Sequence, residues 1–203
     1  ESRIVIDGAG EEWQDAIDAS YFYLMSSCSA FSPASIAPFA LSNPDSYQGH
    51  VFWDNESFMF ITPMMCDQDV ARSMLDYRFK RVGAAEDNAR LNGYRGIQFP
   101  WQSGRTGSEV TVPFAGQAGG AGEQHVNLDV ALAFDGFARV SGDEGFIREK
   151  VWPVMRGVSE WIESRCEKTE RGYEILHTTG IDEERDDVPN DSYTNIMSAK
   201  ILR

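Results

Sequence analysis

The residues best equipped for chemistry crowd into one stretch near the end of the chain, Gly180-Ile-Asp-Glu-Glu-Arg-Asp-Asp-Val-Pro-Asn-Asp-Ser-Tyr-Thr-Asn195. Five carboxylates fall within six residues, from Asp182 to Asp187. Repulsion among Asp182, Glu183, Glu184 and Asp187 is expected to raise the pKa of whichever member is most buried, which keeps a carboxyl protonated as a proton donor. An acidic loop entering a helix is also ordinary solvated surface, so its company decides. Two upstream loops, 49–58 and 94–109, repeat a mixture of tryptophan, carboxylate and amide. Indole faces stack on the C–H face of a sugar ring, and Trp53 and Trp101 are placed to do so. Carboxylates and amides bridge vicinal hydroxyls, a role open to Asp54, Glu56, Gln102, Glu109 and Asn127. Breaking a glycosidic bond with inversion then needs an acid on the leaving oxygen and a base or anionic nucleophile on the opposite face.

Each of these residues also has a plainer reading. Trp53 and Trp101 suit a core as well as a platform. His125 heads a helix, where a histidine is commonly structural or a cap. Asp54, taken alone, is an N-cap. Met59, Met64 and Met65 read as core filler. Gly119-Gly120-Ala-Gly122 lacks the preceding strand and following lysine of a phosphate cradle, so a nucleotide site is rejected.

The elements that must position these loops are helical in period. Residues 1–9 read as a short strand or linker ending in glycines. The apolar positions predict helices over 13–28, 69–81 and 84–91, and a further one begins near Asp54 or Asn55. Residues 125–140 carry Val126, Val130, Ala133, Phe134 and Phe137 on one face, and 146–163 form a clear amphipathic helix that Pro153 kinks or starts. Residues 26–45 form a long Ser-, Ala- and Pro-rich loop, 94–122 is a glycine-rich one, and 170–176 is a turn into a short extended piece. Asn190, Asp191 or Ser192 caps a last helix carrying Tyr193, Ile196, Met197 and Ile201. The fold class is all-α with long loops, and the spacing of helix pairs suits a toroid or solenoid.

A net charge of −14, from 18 basic and 32 acidic residues, argues against nucleic acid or an anionic membrane as partner. No apolar run approaches the ~18 residues of a transmembrane helix, and no signal peptide is apparent, so a soluble chain is expected. Cys28, Cys66 and Cys166 are scattered, which predicts reduced, buried thiols, no metal site and no cofactor.

Taken in order, His50-Val-Phe-Trp-Asp54, Tyr94-Arg-Gly with Phe99-Pro-Trp-Gln-Ser103, Thr106-Gly-Ser-Glu109, Glu123-Gln-His125, Gly180-Ile-Asp-Glu183 and Asn190-Asp-Ser-Tyr-Thr-Asn195 closely resemble glycoside hydrolase family 65. That family comprises inverting α-glucoside phosphorylases and related hydrolases. The resemblance implies part, roughly half, of an (α/α)6 toroid, with residues 1–12 as the tail of a preceding region and 13–203 as an incomplete catalytic domain. It implies Glu183 as general acid, and Trp53, Asp54, Trp101, Gln102, Glu109, His125 and Asn195 as substrate-binding residues. The base or phosphate site is expected beyond Arg203, so the C-terminal half of the toroid is an expected partner, alongside an α-glucoside substrate, and a homodimer is the further partner the resemblance implies. Hydrolysis is the favoured reaction. Phosphorolysis to β-glucose 1-phosphate and a non-catalytic carbohydrate-binding toroid are the rivals. Three departures stand out: Gln102 replaces the usual Glu, Ile181 replaces Pro, and Glu184-Arg185 replaces Tyr-His after the acid.

Overall fold

The computed structural model describes residues 3–8, 10–41, 46–111, 122–183 and 185–203. Gly119, Gly120 and Glu184 lie outside the described residues, as do parts of the two long loops. The element order is α1 (Glu11–Ser26), a π-turn (Asn55–Met59) leading into α2 (Ile61–Cys66), α3 (Gln68–Phe79), α4 (Val82–Leu91), α5 (His125–Ser141), α6 (Glu144–Phe146), a second π-turn (Ile147–Val151), α7 (Trp152–Arg165), β1 (Glu167–Thr169), β2 (Gly172–Glu174) and α8 (Ser192–Ile201).

The core is built round α5. Val126, Leu128, Val130, Ala131, Phe134 and Phe137 are all fully buried, so this helix is apolar on nearly every side. Such a helix belongs in a protein interior, and it packs against α3, α7 and α8. Gly142 ends it in the left-handed conformation, φ 62°, and the Asp143 carboxylate caps the next segment by accepting from the Phe146 amide at 2.9 Å. Asp67 caps α3 and Asp191 caps α8 in the same way, accepting from Val70 and Thr194.

Several expectations need correction. The segment read as one helix over 146–163 carries a π-turn before Pro153. Proline supplies no N–H and its ring presses on the carbonyl four residues back, and the widened turn at 147–151 accommodates both. Asp54 does not cap: its backbone is already helical and its side chain makes no capping bond. Residues 167–174 form an antiparallel hairpin, with Lys168 opposite Tyr173. Cys66 and Met65 are exposed, not core, and Trp13 and Phe22 on α1 are each more than 60% exposed. Among the described residues no helix is long and apolar enough to cross a membrane.

Candidate active site

The first loop is anchored from below by a buried ion pair. Arg78 of α3 donates from Nε and Nη2 to the two oxygens of Glu56, at 2.7 and 2.8 Å, and from Nη2 to the Phe52 carbonyl at 3.2 Å. Both side chains are at most 1% exposed. Asn55 completes the clasp, donating to Glu56 and accepting from the Ser35 hydroxyl, each at 2.8 Å. Glu56 therefore spends its oxygens on Arg78 and Asn55, away from any hydroxyl of a ligand. Trp53 and Asp54 sit on top of this clasp, half-buried.

The second loop is held by side chains that the sequence suggested for hydroxyl binding. Glu109 accepts from the Trp101 amide at 2.8 Å and from the Gln102 amide at 3.1 Å. Asn127 of α5 accepts from the Phe99 amide and donates to the Ile97 carbonyl, both at 2.9 Å. A charged or amide side chain satisfying two backbone groups fixes a loop that has no ladder of its own. At the loop's start Gly96, with φ +72°, lies so close to α7 that a Cβ would come within 2.0 Å of the Gly157 carbonyl oxygen. The Gln102 side-chain amide bonds His50 Nδ1 at 2.7 Å, which ties the first two loops together. Val51 and Ser103 join them again through a pair of backbone bonds of 3.1 and 2.9 Å.

Between these loops lies a buried polar relay. Trp101 Nε1 donates to Glu123 Oε2 at 2.7 Å. The same oxygen lies 3.7 Å from His125 Nε2, longer than a hydrogen bond. His125 Nδ1 meets Asp129 Oδ2 at 2.9 Å, and Tyr193 of α8 donates its hydroxyl to Asp129 Oδ1 at 2.6 Å. The His125 ring stands edge-on to Trp53, at 4.8 Å between centroids, and to Tyr193, at 5.4 Å. Burial opposes charge on this imidazole, but the hydrogen bond to Asp129 and the charges of Asp129 and Glu123 outweigh it and push its pKa up to about 9. His125 is thus a buried cation between two carboxylates.

The acidic loop docks onto this relay. The Thr179 amide donates to the Gly122 carbonyl at 2.9 Å, and a Cβ on Gly122 would stand 2.6 Å from Thr179 Oγ1. Arg165, at the end of α7, donates to the Gln124 side chain at 2.6 Å and to the carbonyls of Leu176 and His177. Within the loop Arg185 pairs with Asp182 at 3.2 Å, His177 with Asp187 at 2.5 Å, and Thr179 Oγ1 donates to Asp186 at 3.1 Å. Burial raises the Glu183 pKa, helped by the charges of Glu123 and then Asp54 and opposed by His125. Among the described residues, the carboxylates that perturb Glu183 belong to the other loops, Glu123 and Asp54. Asp54 is raised too, by burial first and then by Glu56 and Glu123, while a backbone hydrogen bond opposes the shift.

Trp53, Asp54, Trp101, His125 and Glu183 thus converge on one locus. Gln102 and Glu109 stand behind Trp101. Asn195 lies on the first turn of α8, where its side chain donates to Asn190 at 3.4 Å, and it is Tyr193 that reaches the relay. Glu123, Asp129, Tyr193 and Arg165 were not singled out by the sequence reading. The pair His125 and Asp129, four residues apart on the buried helix α5, was the available signal. Among the described residues no group of His, Cys, Asp and Glu forms a metal site.

Comparison with known proteins gives this locus a context. Residues 22–203 match the family described as "Glycosyl hydrolase family 65 central catalytic domain". The whole chain is 37% identical to a kojibiose hydrolase of Flavobacterium johnsoniae, over 29% of that protein's length. It is 33% identical to a kojibiose phosphorylase of Escherichia coli K12, over 97% of this chain and 27% of that protein. A solved structure titled "Putative kojibiose phosphorylase from human microbiome" superposes with a TM-score of 0.87 at 22% identity, covering 98% of this chain and 29% of that one. The helices are a portion of the (α/α) toroid expected from the sequence. The chain spans less than a third of the length of these relatives, and it belongs to glycosyl hydrolase family 65.

Proposed function

We propose that the complete polypeptide carrying this chain cleaves an α-1,2-linked glucoside of the kojibiose type with inversion, by hydrolysis. The observation that carries this reading is the setting of Glu183. Burial and the charges of Glu123 and Asp54 raise its pKa, which suits a carboxyl that must hold a proton near neutral pH. Trp53 and Trp101 supply the aromatic faces, and Asp54 the carboxylate, to hold the terminal glucose. Glu183 gives its proton to the glycosidic oxygen as the C1–O bond breaks. Water adds to C1 from the opposite face, and its proton passes to a base that we assign to the rest of the polypeptide. One observation supports water over phosphate as the nucleophile: the loop around the acid departs from the family pattern at Ile181 before Glu183 and at Glu184-Arg185 after it.

The test is to incubate the complete polypeptide with kojibiose, nigerose, maltose and trehalose, with and without phosphate, and follow anomeric protons by NMR. Free β-glucose from kojibiose, at a rate indifferent to phosphate, is expected. β-Glucose 1-phosphate formed only with phosphate would replace hydrolysis by phosphorolysis. Absence of turnover on all four sugars, with binding retained, would leave the carbohydrate-binding reading.

A further inference from the structure

Glu123 is only 4% exposed and lies between Trp101 and His125. Its Oε2 accepts the Trp101 indole N–H at 2.7 Å and faces His125 Nε2 at 3.7 Å. That nitrogen has no hydrogen-bond partner. The residues on either side of Glu123 are the ones that grip the acidic loop: Gly122 through its carbonyl and its missing Cβ, and Gln124 through Arg165, which also holds the carbonyls of Leu176 and His177. A buried carboxylate must be paired if it is to stay ionised. His125, held by Asp129 and Tyr193, is its cationic partner.

We propose that Glu123 is a positioning residue for the reaction above, clamping the Trp101 indole against the sugar and standing as a fixed buried anion beside Glu183. The proposal rests on the reading of Glu183 as the general acid. Among the described residues, the charges that bear on Glu183 are those of Glu123, Asp54 and the His125 cation. An anion beside a carboxyl favours its protonated form, so Glu123 holds the proton on Glu183 until the glycosidic oxygen takes it. The clamp and the charge are separable by substitution. Glu123→Gln keeps an oxygen for the indole N–H and removes the charge. Glu123→Asp keeps the charge but draws it back from the indole. Trp101→Phe removes the N–H together with part of the aromatic face.

The experiment measures kcat and KM for kojibiose against pH in the complete polypeptide. Glu123→Gln is expected to move the alkaline limb of kcat/KM downward by on the order of one pH unit, with KM changed less than about twofold. Glu123→Asp and Trp101→Phe are expected to raise KM on the order of tenfold, the loss of one charge-assisted hydrogen bond, and to leave the limb in place. A Glu123→Gln profile coincident with that of the parent, or a uniform loss of kcat in all three variants without a change of limb or KM, would overturn the proposal. Glu183→Gln serves as the control, assayed with kojibiose and with α-glucosyl fluoride, whose leaving group needs no proton. Equal loss on both substrates would sink the acid reading itself. Loss confined to kojibiose, with an unmoved Glu123→Gln limb, would sink only the role of Glu123.

Discussion

His125 shows how one side chain can be readable as important and unreadable in kind. Its position at the head of a helix suggests a cap or a ligand; the structure makes it a buried cation between Asp129 and Glu123. Its pKa is about 9 when folded, against an ordinary 6.5. The cation's contribution to stability is therefore complete below about pH 6.5 and is lost as pH rises through about 9. The melting temperature of the complete polypeptide is expected to fall across that window, and to fall less steeply in a His125→Gln variant. Parallel curves for the two proteins, by calorimetry from pH 6 to 10, would remove His125 from the account. Trp53, Asp54, Trp101 and Glu183 were legible because their motifs stand in order along the chain. Glu123 and Tyr193 stand in such motifs and Asp129 lies one helical turn beyond His125, yet their roles were not legible, because what joins them is a chain of contacts spanning 92 positions, from Trp101 to Tyr193.

At the scale of elements, helical period was a good guide where a stripe faces a core. The predicted 84–91 and 125–140 agree with α4 and α5 to within two residues at each end. The period fails where geometry departs from 3.6 residues per turn, and both π-turns fall in such places, at 55–59 under Trp53 and at 147–151 before Pro153. The first of these is held by the Glu56–Arg78 pair, a bond between two elements that composition could not foretell. Removing one partner strands a buried charge, so Glu56→Ala is expected to cost about 3–5 kcal/mol in urea unfolding. A loss below about 1 kcal/mol would mean that the pair contributes little to holding the loop, as for an exposed salt bridge. The sequence proposed Glu56 and Asn127 as sugar ligands because carboxylates and amides serve both tasks equally well. Only burial and direction distinguish a hand that holds a ligand from one that holds the backbone.

For the molecule as a whole, motif order carried family and fold together. The apolar period of the helices also said that faces must be covered, but not by what. Trp13 and Phe22 of α1, Ile61 and Met65 of α2, and Ile196 of α8 all remain more than half exposed in this chain. We propose that the rest of the toroid covers them. The three free thiols offer a way to see it. Cys28 is half-buried, and burial with help from Asp67 pushes its pKa up to about 11. Cys166 is likewise raised by burial. Cys66 is exposed, at the end of α2 and next in sequence to the exposed Met65. Since thiolate and access set alkylation rates, a maleimide should mark Cys66 first and almost alone in this chain. In the complete polypeptide the same cysteine should react at least several-fold more slowly, by mass-spectrometric time course. Equal rates would place the covering surface elsewhere. If the complete polypeptide protects it, a residue with no part in sugar chemistry becomes a built-in dye site for watching the ring close in real time.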